Sequence, residues 1–154
     1  MIMKLLLYSV IGIFVIIGIM LAGLSMASRK QPELGLVNGK LRPCPMTPNC
    51  VCSEQKVEGA FVEPLVYATT ADTAWQRIRH IIIETGGVDL NEQDGYLHAR
   101  YETPLLRFVD DVELRLDEVN HVIHIRSASR VGKSDLGTNR KRVARIRTAF
   151  DKQK

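Results

Sequence analysis

The feature that most constrains this chain is an uncharged apolar run near its N-terminus, from Leu5 to Leu24. Lys4 precedes the run, and the next charged residue after it is Arg29. A helix needs about 20 such residues to cross the hydrocarbon core of a membrane, where every backbone polar group must be satisfied within the segment. The run therefore predicts a transmembrane anchor over residues 4–27, followed by a domain outside the membrane.

The end of this run also has one property of a cleaved signal sequence. Ser25-Met26-Ala27 resembles the small-residue motif at which signal peptides are cut. The apolar segment of a signal peptide usually spans about 7–15 residues, which is shorter than the run in this chain. The length therefore favours an uncleaved anchor, and cleavage after Ala27 is the alternative.

Alternating apolar and polar residues predict antiparallel strands in the rest of the chain. Strands are predicted at Tyr96–Glu102, Phe108–Asp117 and His121–Ser127, with a shorter one within Phe61–Tyr67 that begins after Pro64 or lies at an edge. Apolar residues at three- and four-residue spacing predict helices after a Thr69 or Thr70 cap, ended by Gly86-Gly87, and from Thr138 to Lys152. The prediction is an α+β domain over 61–154, a small antiparallel sheet with helices on one face. The arginines of the last helix are expected to face outward, as are Asp111 and Glu113.

Residues 28–60 are predicted to form a linker and a disulfide loop. Cys44, Cys50 and Cys52 lie there among several prolines, and the bent segment between Cys44 and Cys50 brings those sulfurs within disulfide range. Disulfides persist in oxidising compartments, so the cysteines favour an extracytoplasmic domain. The basic residues that follow the apolar run favour the opposite orientation. A zinc site is disfavoured because the spacing is not that of paired zinc ligands, and we expect no metal or cofactor.

Three motifs of this chain are similar to those of a known family. They are Cys-Pro-x-x-Pro-Asn-Cys at 44–50, Phe-Val-Asp-Asp-Val-Glu at 108–113 and the polar run from Arg126 to Arg140. Together they resemble the domain of unknown function 1499 family of bacteria and plastids, over roughly residues 41–150. The resemblance implies an exported or membrane-attached domain and so favours a single-pass membrane protein with a periplasmic domain. Cys52 stands where the family pattern usually has serine, which favours a Cys44–Cys50 disulfide.

The polar run between the last strand and the last helix is the candidate binding site. Its Ser, Arg and Asn side chains, with backbone amides near Gly132 and Gly137, are suited to an anionic small molecule or a lipid head group. The alternative is a structural network in which Asp110, whose phase points it into the core, pairs with Arg126, Arg130 or Arg140. The candidate ligand-binding residues are Arg126, Ser127, Ser129, Arg130, Ser134, Asp135, Asn139 and Arg140, with Asp110 and Asp111 on the neighbouring strand.

The function predicted from these residues is a non-catalytic binding or envelope-assembly module, for which a protein partner in the envelope is also considered. An enzyme is the alternative, with Asp110, Asp111 and Asp135 binding a divalent cation or acting in acid–base catalysis, or with Ser129 and His124 as nucleophile and base. No catalytic motif supports this alternative, so no catalytic residue is assigned. Nucleic-acid binding is not expected, because the basic helix lacks interleaved aromatic residues.

Overall fold

The computed structural model describes residues 2–152. The N-terminal helix α1 is followed by short strands, a helix, a set of long strands and a final helix. The elements are α1 (Ile2–Ser28), β1 (Leu36–Val37), β2 (Lys40–Leu41), β3 (Cys50–Cys52), β4 (Leu65–Val66), α2 (Ala71–Glu84), β5 (Val88–Gln93), β6 (Tyr96–Glu102), β7 (Val109–Asp117), β8 (Val122–Ser129) and α3 (Thr138–Lys152). The mixed α+β fold predicted from the sequence is confirmed.

Helix α1 is long and apolar enough to cross a membrane, and none of its most apolar 18-residue window is buried. A signal sequence has the same length and composition, so these two properties by themselves do not separate the two interpretations. The end of α1 is different from the rest, because Ser28 is fully buried against the domain. The helix therefore continues from the apolar run directly into the folded domain.

The central sheet is antiparallel, with the strand order β3-β8-β7-β6-β5 and with β4 also paired to β8. Strands β6, β7 and β8 match the predicted alternating runs to within one or two residues. Strand β4 begins immediately after Pro64, as the missing amide donor of proline requires. Strand β5 was not predicted, because it is mostly exposed and so lacks an apolar alternation that would reveal it.

Helices α2 and α3 cover one face of the sheet and form the main core with it. The hydroxyl of Thr70 accepts the amide of Thr73 at 3.2 Å and caps α2. Trp75 and Ile78 of α2, and Ile146 and Phe150 of α3, belong to the core. A side chain at position 87 would clash with Ile82. Glycine at this position therefore allows the backbone after α2 to pack closely against the helix.

The opposite face of the sheet was expected to be polar and solvent-facing, and this expectation was wrong. Asp111 and Glu113 are 2% and 0% exposed. The segment between α1 and β4 covers them: β3 pairs with β8, and a small apolar cluster of Leu41, Cys44, Cys50, Cys52 and Ala128 packs beside them. Both faces of β7 are therefore buried over its first six residues.

A disulfide joins Cys44 to Cys50, the pairing favoured by the family resemblance. Cys50 lies on β3 and Cys44 lies in the preceding proline-rich loop, so the bond ties this loop to the edge of the sheet. Cys52 is a free thiol that is fully buried. Burial raises the pKa of this thiol, which disfavours a reactive thiolate.

Candidate functional site

Arg130 connects the end of α1 to the central sheet. Its guanidinium binds the carboxylate of Asp111 through both oxygens, at 2.7 and 2.8 Å. Its Nη1 donates to the backbone carbonyls of Arg29 at 3.2 Å and Ser28 at 3.4 Å. The cation therefore satisfies the last carbonyls of α1, which a helix leaves without intrahelical partners.

His98 completes this cluster from the neighbouring strand. Its Nε2 lies 2.7 Å from Oδ1 of Asp111, so the carboxylate contacts both a histidine and an arginine. Burial raises the pKa of Asp111, but the hydrogen bonds from His98 and Arg130 outweigh burial and hold this pKa below its usual value. We call Arg130, Asp111 and His98 the anchor lock, because they join the end of α1 to the sheet. The amide of Val109 supports the same junction by donating to the hydroxyl of Ser28 at 3.1 Å.

A second buried ion pair lies two residues further along β7. Nη1 of Arg126 donates to Glu113 at 2.5 Å, and the phenol of Tyr96 donates to the other oxygen of this carboxylate at 2.7 Å. The amide of Gly35 also donates to Glu113, at 3.0 Å. Burial, with the adjacent carboxylate, raises the pKa of Tyr96. Glu113 thus holds the covering segment on the sheet, and Arg126 is committed to this pair.

Asp110 points to the helix face and pairs with Arg142, which the sequence interpretation missed. Nη2 of Arg142 donates to Asp110 at 2.5 Å, and Nη1 donates to the hydroxyl of Ser127 at 3.0 Å and to Asn139. The expectation that the arginines of α3 face outward was therefore wrong for Arg142. Its position could have indicated this, because Asn139, Arg142 and Ile146 lie on one face at three- and four-residue spacing.

Asn139 links α3 to the edge strand and to the end of β8. Its side-chain oxygen accepts the hydroxyl of Ser127 at 2.7 Å, and its amide nitrogen donates to the carbonyl of Asn49 at 2.9 Å and to Ser129 at 3.0 Å. Asn139 and Ser127 are fully buried. These candidate residues therefore lie in the packed interior and hold elements together.

The loop between β8 and α3 carries the remaining candidates. Asp135 caps α3, accepting the amides of Gly137 at 3.0 Å and Asn139 at 2.7 Å, so it occupies the position at which an anion would meet the helix. The guanidinium of Arg140 donates to backbone carbonyls in the segment before β4, at Gly59 (2.7 Å) and Phe61 (3.1 Å). Ser134 is exposed and accepts the amide of Leu136.

A cleft of about 290 Å³ opens beside this loop, at the base of α1. Its lining includes Leu24 of α1, Phe108, Val131 and Leu136, and the polar candidates that border it are Asp110, Ser129, Ser134 and Asp135. The other candidate residues do not border this cleft. They are Arg126, Ser127, Arg130, Asn139, Asp111 and Arg140. The cleft is thus mainly apolar with a polar rim.

Ser129 and His124, which were considered as nucleophile and base in the enzyme alternative, do not lie together. His124 lies far along β8 from Ser129; its Nδ1 is instead 3.1 Å from the hydroxyl of Ser53, and its Nε2 is 3.6 Å from Asp117. Ser53 is 7% exposed and its hydroxyl also accepts the amide of Ile125, so it holds the end of β3 against β8. Burial lowers the pKa of His124. Within residues 2–152, no group of three His, Cys, Asp or Glu side chains is arranged to hold a metal ion.

Comparison with known proteins identifies a family but no described function. A family model described as a protein of unknown function (DUF1499) matches residues 40–150. No curated protein and no solved structure matches the chain. The matched region contains the disulfide loop, the sheet and both helices that pack on it, and it begins after α1.

Proposed function

This chain belongs to the DUF1499 family of proteins of unknown function, and from its own geometry we propose that it is a membrane-anchored, extracytoplasmic, non-catalytic binding or assembly module of the cell envelope. The observation that carries the proposal is the anchor lock. It joins the apolar helix to the sheet through a buried arginine, so the domain is held directly at the membrane surface. The Cys44–Cys50 disulfide supports an oxidising, extracytoplasmic location.

The proposed absence of catalysis rests on how the carboxylates are used. Asp110, Asp111 and Glu113 are each bound by a buried arginine, and Asp135 caps α3. A general acid or base must reach its substrate and exchange a proton with it. These carboxylates instead accept hydrogen bonds within the protein, which is the behaviour of structural groups.

The cleft at the base of α1 is the proposed binding site. The buried arginines are occupied, so an anionic group would meet Lys133, which is exposed and forms no ion pair with any described residue. Lys133 lies in the chain between Gly132 and Ser134, which both line the cleft, and the rest of the lining is largely apolar. The ligand class that fits is therefore an anionic amphiphile, with its charge near Lys133 and its apolar part in the cleft.

Cysteine labelling in intact cells tests the location. Val119→Cys, in the exposed turn after β7, is expected to react with a membrane-impermeant maleimide, whereas Met3→Cys is expected to react after permeabilisation alone. Background labelling is low, because Cys52 is buried and the other cysteines form a disulfide. Labelling of Met3→Cys but not Val119→Cys in intact cells would overturn the proposed orientation.

Titration of the full chain in neutral detergent with dodecyl phosphate tests the binding site. We expect saturable binding that Lys133→Ala weakens. Lys152→Ala is the matched control, because it removes the same charge at the other end of α3, about 20 Å away at about 1.5 Å per residue. Equal binding by both variants and the unmodified chain would contradict this site.

A further inference from the structure

We propose that the domain inserts two loops into the leaflet at the exit of α1, the first carrying Leu105 and the second carrying Leu136. This inference rests on the proposed membrane anchor and adds a second, independent contact with the bilayer. Leu105 and Leu136 are 89% and 87% exposed, in loops that precede β7 and α3. Single exposed leucines are common on soluble proteins, so exposure alone does not identify a membrane contact.

Both leucines lie in loops that are next to the C-terminal part of α1. The loop with Leu105 forms a groove with the last turns of α1, including Leu21 and Met26. The loop with Leu136 lines the cleft that Leu24 closes on the other side. Both loops therefore stand beside the part of α1 where the apolar run ends.

The depth of these loops in the bilayer follows from the geometry of α1. Leu24 is the last residue of the apolar run and Arg29 is the first charged residue after it, so they are about 7.5 Å apart along the axis at about 1.5 Å per residue. The head-group region on each side of a bilayer is about 5–7 Å thick. With α1 across the membrane, loops that contact Leu21 and Leu24 lie at the boundary between head groups and acyl chains.

Three exposed cations lie near these loops, while the acidic neighbour of Leu136, Asp135, accepts the amides at the start of α3. Arg29, Lys30 and Lys133 are exposed, and none of them forms an ion pair within residues 2–152. They lie at the end of α1 and on the loop of Leu136, where they face lipid phosphates. Exposed leucines beside free cations favour an anionic bilayer over an apolar protein surface as the occupant of this face.

The anchor lock makes this contact a consequence of the fold. Arg130 and Val109 fix the end of α1 to the sheet, and these residues lie next to the two loops. A domain on a flexible linker would sample many orientations. In this chain the end of α1 is fixed to the sheet by a buried contact. When α1 spans the membrane, the same face of the domain therefore lies against the lipid.

Depth-dependent fluorescence quenching tests the proposal on the full chain in nanodiscs of phosphatidylglycerol and phosphatidylcholine. Single cysteines at four exposed positions (Phe14, Leu105, Leu136 and Val119) are labelled with bimane, while buried Cys52 stays unlabelled. Lipids with a nitroxide on the acyl chain near the head group serve as quenchers. Loss of most emission is expected at Leu105→Cys and Leu136→Cys, with little loss at Val119→Cys.

Val119 is the matched control because it is as exposed as Leu105 but lies at the opposite end of β7, about 30 Å from Val109 at about 3.3 Å per residue. Phe14→Cys reports the anchor itself, with a lipid carrying the nitroxide near the chain end. Quenching at Phe14 without quenching at either leucine would overturn loop insertion while the anchor stands. An unquenched Phe14 would overturn both proposals, and quenching at Val119 equal to that at the leucines would overturn the proposed orientation.

Discussion

Arg130→Ala is the substitution that best separates a structural lock from a ligand-binding arginine. Arg130 and Asp111 have side chains that are 5% and 2% exposed, and two hydrogen bonds of 2.7 and 2.8 Å join them. Removing Arg130 leaves the buried carboxylate of Asp111 with His98 as its remaining partner, and breaking a buried ion pair in this way costs about 3–5 kcal/mol. A domain of this size is stable by about 5–15 kcal/mol, so the loss is a large share of the total.

The loss of unfolding free energy in Arg130→Ala should depend on pH, and the pKa of Asp111 determines the direction of this dependence. In the unmodified protein the hydrogen bonds from His98 and Arg130 outweigh burial and keep this pKa low, so their stabilisation is present above about pH 4 and is lost as pH falls through the folded-state pKa. Without Arg130, one of the two groups that lower the pKa of Asp111 is lost, so this pKa rises. The difference in the free energy of unfolding between the two proteins should therefore shrink as the solution is acidified.

Urea denaturation of the full chain in detergent measures both effects. The emission of Trp75 is a suitable signal, because this side chain is buried in the main core. Arg79→Ala is the control: it breaks an exposed pair with Glu92, for which about 0–1 kcal/mol is expected. A loss for Arg130→Ala no greater than that for Arg79→Ala, or a loss that grows on acidification, would refute the lock.

Other predictions concern the remaining contacts. Arg142→Ala is expected to cost about 3–5 kcal/mol of unfolding free energy, because it leaves Asp110 buried and unpaired, while Arg145→Ala on the exposed side of α3 is expected to change it by less than about 0.5 kcal/mol. Cys44→Ser should cost about 2 kcal/mol from the short loop that the disulfide closes, and reduction of the unmodified protein should give a similar loss in the same urea assay. Hydrogen bonds from Asn120 and Arg115 lower the pKa of Asp117 to about 2, so its stabilisation holds above about pH 4 and fades towards pH 2. Asp117→Asn should accordingly be less stable than the unmodified protein at neutral pH and nearly equal to it near pH 2 by acid titration followed with circular dichroism.

Alternation along the sequence predicted the strands in which apolar and polar residues alternate and missed the strands that lack this alternation. Strands β6 to β8 alternate, so their positions were predicted closely, whereas β5 is exposed and β3 has three buried residues in a row. Alternation correctly placed Asp111 and Asp110 on opposite faces. It could not show that a covering segment buries the polar face too, because a charged residue that is paired looks like an exposed one in a sequence.

The candidate site shows the same limit at the level of single residues. The polar run from Arg126 to Arg140 was identified as a place where polar groups converge, and they do converge, but largely on one another. Asp110 was expected to pair with Arg126, Arg130 or Arg140, and its partner is instead Arg142 on α3, outside that run. Which arginine meets which carboxylate depends on the packing of α3 against β8, and residue spacing along the chain does not determine that packing.

The distribution of these pairs suggests what they contribute beyond stability. Both faces of β7 are buried, so apolar alternation weakly specifies its register with β8, and a two-residue slip would keep every side chain on the same face. In the observed register Glu113 lies opposite Arg126 and Asp111 lies opposite Ala128, which leaves Asp111 free to meet Arg130 beyond the end of β8. A slip that brought Asp111 opposite Arg126 would leave Arg130 buried without a carboxylate, at the cost given above.

We infer that the anchor lock sets the register of the sheet as well as the direction of α1. Amide exchange tests this: Arg130→Ala should reduce protection along β7 and β8 more than Arg142→Ala does at equal loss of stability, and equal protection in the two variants would contradict the inference.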